Sequence, residues 1–106
     1  MKRLKFAEPL PCLILQGKKD ITWRINDDKS IVQGDKLSLC SIEGKEFAKA
    51  KVIWTKDTTF RCLTDKDKQQ HEQFASEEEM YQIYSGYYKI KVNSKTRVKV
   101  IKFKLL

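Results

Sequence analysis

Nine residues near the C-terminal end, Arg97-Val98-Lys99-Val100-Ile101-Lys102-Phe103-Lys104-Leu105, alternate charged and apolar side chains with a period of two. A strand sends successive side chains to opposite faces, so this period ties the segment to a sheet with one packed and one wet face. Tyr88-Lys89-Ile90-Lys91-Val92 alternates in the same way and predicts a further strand. So does Lys36 to Cys40, launched by the Gln33-Gly34-Asp35 turn. After the Glu43-Gly44-Lys45 turn, Glu46 to Trp54 alternates less cleanly, and the two segments read as an antiparallel hairpin. Leu4-Lys5-Phe6 predicts a short opening strand, closed by Pro9 and Pro11.

Between the strands lie helical signals. Leu13, Ile14 and Leu15, with Gly17 in the position after the C-cap, fit a short helix starting near Pro11. Thr64 caps a weak, very polar helix running through His71 and Glu72. Ser76 and Glu79 have capping-box spacing, and Met80, Ile83, Tyr84 and Tyr87 recur at three- and four-residue steps. That stripe reads as core contact rather than as a base-stacking platform, because its spacing is what helix packing requires. Several twisted strands with two or three short helices are best satisfied by a small curved sheet or barrel, since closure removes exposed edges. The expectation is an α+β fold, and 106 residues make one domain spanning 1–106.

Charge bears on partners. The chain carries 22 Lys plus Arg against 14 Asp plus Glu, a formal net charge of +8, which attracts polyanions and makes nucleic acid the default candidate. From Met80 to Leu106 there is no acidic residue, so Lys89, Lys91, Lys99, Lys102 and Lys104 form a candidate RNA-binding face. Lysines at alternate strand positions are also what any solvated face presents. Cys12, Cys40 and Cys62 are odd in number, widely spaced and set among apolar neighbours, which reads as core thiols in a reducing compartment. With one histidine, His71, and no clustered cysteines, neither a metal nor another cofactor is expected. The N-terminal residues lack a signal-peptide apolar run and no stretch reaches the ~20 apolar residues of a membrane span, so a cytoplasmic protein is expected.

The densest chemistry lies in Lys18-Lys19-Asp20-Ile21-Thr22-Trp23-Arg24, just after Gly17. Read as a turn feeding a strand, it buries Ile21 and Trp23 together and lines the other face with Asp20, Thr22 and Arg24. Two uses are open. The strand is half-buried with a solvated outer face, or Lys19, Thr22 and Arg24 converge as donors on an anionic or carbonyl-bearing ligand.

Gly17-Lys18-Lys19 followed by Ile21-Thr22 and Arg24, the Gly34-Asp35 turn, the Leu63-Thr64 helix start, the Glu78-Glu79-Met80-Tyr81 helix and the closing Val98-Val100-Ile101-Phe103 strand resemble the ASCH domain of the PUA-like β-barrel superfamily. The resemblance covers nearly the whole chain; its most specific part is the glycine-lysine-x-x-threonine-x-arginine signature. It implies a PUA-like barrel, mainly antiparallel, that binds RNA or a modified nucleoside in a cleft between barrel and helices. Small single-domain members of the family include metal-independent amidohydrolases that deacetylate acetylcytidine to cytidine. Carried over residue by residue, their working groups fall on Lys19, Thr22 and Glu72, with His71, Glu77 and Glu78 as alternative carriers of the third role. Lys18 and Arg24 then supply ligand-binding positive charge beside the site. A threonine hydroxyl is a poor nucleophile until a base takes its proton, and a lysine serves as that base only when desolvation or a nearby cation lowers its pKa. A binding module and a hydrolase both remain candidates, and salt dependence separates them, because phosphate contacts weaken as salt rises.

Overall fold

A computed structural model describes residues 1–26, 29–69, 71 and 73–106. Five strands, β1 (Lys2–Phe6), β2 (Ile21–Arg24), β3 (Lys36–Ser41), β4 (Glu46–Thr59) and β5 (Arg97–Leu105), form one sheet in the order β1-β3-β4-β5-β2. Only the β1–β3 pair is parallel; the other pairs are antiparallel. The sheet curls into a half-barrel whose edges are β1 and β2, and three helices complete the expected α+β fold: α1 (Leu10–Leu15), α2 (Asp65–Lys68) and α3 (Glu77–Tyr88).

Each helix is bounded by a local feature. At the end of α1, Gly17 adopts φ +77, its N–H donates to the Ile14 carbonyl and the Lys18 N–H to that of Leu13. These bonds satisfy carbonyls that the helix leaves over and turn the chain into β2. Thr64 caps α2 as expected, accepting from the Asp67 N–H while the Asp67 carboxylate accepts from the Thr64 N–H, but the helix ends at Lys68 and does not run through His71. Ser76 caps α3 by accepting from the Glu79 N–H.

The predicted strand from Tyr88 to Val92 does not form. Tyr88 is the last residue of α3, Lys89 takes a left-handed conformation with φ 55, and the Val92 N–H bonds to Ser85 Oγ on the helix. Val92 is buried, so its alternation with lysines reflects a return onto α3 rather than a pleat. Strand β4 runs to Thr59, five residues past the expected end. Of the three cysteines only Cys40 is a core thiol; Cys12 and Cys62 are exposed.

Two cores lie on opposite faces of the sheet. The inner face packs Leu4, Phe6, Leu37, Leu39, Val52, Ile101 and Phe103 with Ile14 of α1. The outer face of β2 and β5 packs Ile21, Trp23, Val98 and Val100 against Phe60, Met80 and Tyr84. Strand β5 thus serves both cores, and its lysines divide between them. Register places Lys99 on the inner face beside Arg24, while Lys102 and Lys104 point outward, opposite Ile21 and Lys51 respectively. The expected single basic face on β5 is therefore two half-faces. No described helix is long and apolar enough to cross a membrane.

Candidate functional site

Strand β2 has the phase expected for Ile21 and Trp23, both 3% exposed or less. Its other face is not solvated, however, because it looks into the inner core, and Thr22 is 4% exposed. Thr22 sits opposite Ile101, and its Oγ1 accepts from Arg24 Nε at 3.3 Å. A second guanidinium nitrogen of Arg24 donates to the Lys5 carbonyl at 3.0 Å, and the guanidinium lies 4.7 Å from the centre of the Phe6 ring. Arg24 thereby links the two edge strands across the gap in the half-barrel.

A cleft of about 260 Å³ opens at that gap. Thr22 and Arg24 line one side, Lys5, Phe6, Ala7 and Leu10 another, and the aromatic rings of α3, Tyr84, Tyr87 and Tyr88, a third. Tyr84 is buried, whereas Tyr87 is 58% exposed at the rim. Tyr84 stacks parallel to Tyr88 at 6.4 Å and meets Tyr87 edge-on at 5.7 Å. The stripe that reads as core contact thus does both jobs: Met80 and Tyr84 pack inward, and Tyr87 and Tyr88 wall the cleft. The sequence signal was present in Tyr87-Tyr88, which lie on adjacent helix positions and cannot both face the core.

Behind Trp23 a second layer fixes the strand. Its indole N–H donates to the Asp67 carbonyl at 3.1 Å, and its ring stacks on His71 at 3.7 Å. His71 Nε2 lies 3.3 Å from the Tyr84 hydroxyl. Asp67, 1% exposed, takes Lys56 Nζ at 2.5 Å. Burial pushes the Asp67 carboxyl up, but Lys56 and the Thr64 N–H and hydroxyl outweigh it and hold it below the ordinary carboxylate range. Sequence reading missed Asp67; its signal was its place three residues after the Thr64 cap.

The remaining candidates are spread around this centre. Lys19 is 2% exposed, and its amine donates to the Ile21 carbonyl at 2.6 Å. Lys18 is exposed, and Asp20 pairs with Lys102 at 2.7 Å. Lys99 donates to the Ile31 carbonyl at 3.1 Å. Lys89, Lys91 and Lys104 are exposed. Glu77 and Glu78 are exposed on the first turn of α3, and Glu77 lines a separate cavity of about 370 Å³ with Trp23 and Phe74. Glu72 lies outside the described residues. The geometry thus joins Thr22 to Arg24 and the α3 tyrosines and keeps Lys102 and Lys104 on another face.

No known family profile and no curated protein matches the sequence. Among solved structures, the chain is similar to hypothetical protein PH0355, 27% identical over the full length of both chains with a TM-score of 0.75. It is similar to protein EF3133 of Enterococcus faecalis V583, described as DUF984, at 11% identity and TM-score 0.76, covering 92% of this chain and 69% of that one. It is also similar to an ASCH domain from Lactobacillus crispatus JV V101 at 12% identity and TM-score 0.66, covering 90% and 69%. The half-barrel with its α3-walled gap is an ASCH-like fold.

Proposed function

We propose that the protein binds RNA or a modified nucleoside, with the base seated in the cleft between the edge strands and α3. The observation that carries this reading is the pairing of an aromatic wall, Tyr84, Tyr87 and Tyr88, with hydrogen-bonding groups on Thr22 and Arg24 in one cleft of about 260 Å³. A nucleobase has a π-face and a polar edge, and ring stacking combined with edge recognition is how unpaired bases are held. Arg24 serves as an orienting residue, since its guanidinium stays charged at working pH and its fork suits a carbonyl or phosphate. Lys18 adds positive charge near the site. Lys89 and Lys91 follow Tyr88 directly in the chain and are the basic residues nearest the cleft wall in sequence, so an RNA strand would run along them. Lys99 and Lys102 contribute after releasing Ile31 and Asp20, and Lys104 acts from the outer face.

The alternative is an amidohydrolase that deacetylates acetylcytidine without a metal. The burial of Lys19, an amine held out of water three residues from Thr22, supports this reading, which requires that amine to turn from the Ile21 carbonyl and from the separate cavity it lines with Asp20 and Lys102. In that reaction the Thr22 hydroxyl attacks the acetyl carbonyl while Lys19 accepts its proton, and the bond from the acetyl carbon to the exocyclic nitrogen breaks as Glu72 delivers a proton to the leaving amine. Water then cleaves the acetyl-Thr22 ester to release acetate. Calorimetric titration with acetylcytidine and cytidine, followed by product analysis, tests both. Binding lost in Tyr87→Ala supports the binding reading. Release of cytidine that stops in Lys19→Ala and in Thr22→Val selects the hydrolase. Absence of any heat with either nucleoside rejects the cleft as their site.

A further inference from the structure

The outer face of the sheet is covered by helices over only part of its area. A bulge between Val52 and Trp54 divides β4. Beyond it, Trp54 packs against the core that α3 and the Phe60 turn build over β5. Before it, neither core cluster of the described residues covers the outer face. There the register sets Lys36 of β3 directly opposite Lys51 of β4, and Lys51 directly opposite Lys104 of β5. Lys49, two residues from Lys51 and so on the same face, stands opposite Ser38. All four lysines are exposed, and among the described residues none of them is seen to donate a side-chain hydrogen bond or to form an ion pair.

Like charges directly opposite on neighbouring strands destabilise a sheet, and the ordinary arrangement alternates signs. The carboxylates bordering this face are already engaged: Glu46 accepts from Ser38 Oγ at 2.6 Å, and Asp20 holds Lys102. Neighbouring strands lie ~4.8 Å apart, so three lysines in a row span roughly 10 Å. A nucleic-acid strand presents a phosphate about every 3.4 Å of axis. The row therefore spans about three phosphate-to-phosphate steps, with Lys49 flanking it.

We propose that this bare outer face, Lys36, Lys49, Lys51 and Lys104, is a second binding surface, a sequence-independent platform for the phosphodiester backbone of a nucleic acid. It is separate from the cleft and stands whether or not the cleft takes a nucleoside. Its ligand is the backbone, because the four side chains offer charge and no ring on which a base could stack. The cavity of about 460 Å³ at its border brings Lys104 together with Lys102, Ile53 and Leu105, again without an aromatic ring at its mouth other than the buried Phe103.

The test is the salt dependence of binding to oligouridylate and to a mixed-sequence duplex, for the full chain and for the triple variant Lys36→Gln, Lys49→Gln, Lys51→Gln. On single-stranded RNA the slope of log affinity against log salt should become shallower by about two units. The triple variant should melt no lower than the parent, because it relieves repulsion, and its acetylcytidine titration should match the parent's. An unchanged slope overturns the platform, as does the absence of oligonucleotide binding in the parent. Polyglutamate competing as well as RNA per unit charge also overturns it, in favour of an acidic protein partner. Loss of nucleoside binding in Tyr87→Ala with the salt slope intact shows the two surfaces to be independent.

Discussion

Arg24 sends one nitrogen to Thr22, another to the Lys5 carbonyl, and sets its charge over the Phe6 ring, so its planar fork is used as a fork. A lysine offers a point charge on a flexible stem and cannot reproduce two divergent bonds from one planar group. Arg24→Lys is expected to lower stability by about 1–2 kcal/mol, from one or two hydrogen bonds lost, and to weaken nucleoside binding. Thermal melts and calorimetry on the same variant check both; full retention of both contradicts the role. The buried acid makes a different prediction. Asp67 and Asp35 are both held below the ordinary carboxylate range, Asp35 chiefly by the Lys2 ammonium and the Val32 N–H, and the Asp67 hydrogen bonds and charge outweigh its burial. A carboxyl depressed in the folded state adds stability above its unfolded pKa of about 3.9, and that stability is lost as pH falls through the folded value. The melting temperature should therefore drop on acidification below about pH 4, and Asp67→Asn should be less stable at pH 7 with a shallower acid limb.

Elements were legible where local chemistry decides them. The Arg97–Leu105 period, the Ser76 and Thr64 caps and the Gly17 stop are all carried by residues that have few other uses in those places. Gly17 has open space where a Cβ would stand, so Gly17→Ala tests backbone conformation alone. Forcing alanine to φ +77 should cost about 1–2 kcal/mol, read in a denaturant melt, and Gly17→Asn should cost less. What the sequence hid was which apolar face meets which core. Val100 and Ile101 are neighbours, yet both are buried, because β5 is sandwiched between two cores. The same two-sided burial covers Thr22, a residue whose polar side chain argued for solvent. Tyr88 to Val92 misled for a related reason: a left-handed residue at Lys89 breaks a pattern that alternation alone cannot distinguish from a strand.

At the scale of the whole molecule, the site is the consequence of an incomplete barrel. A sheet ordered β1-β3-β4-β5-β2 leaves its first two strands as edges, and a bare gap between them would expose unpaired backbone. Arg24 bridges part of that gap and α3 roofs the rest with tyrosines, so one architectural problem yields both a seal and a cleft. The signature around Lys19, Thr22 and Arg24 was visible in the sequence; the tyrosine wall opposite it was signalled only by the adjacent Tyr87 and Tyr88, since helix spacing alone describes a core stripe equally well. The central claim is that this cleft holds a base by stacking. Its most direct test is the affinity of acetylcytidine and cytidine for the parent chain and for Tyr87→Ala, measured by calorimetry at low and high salt. The account predicts measurable binding that salt barely changes and that falls roughly tenfold or more in Tyr87→Ala, in line with about 1–3 kcal/mol per stacked base. Nucleoside affinity equal in parent and variant would contradict it.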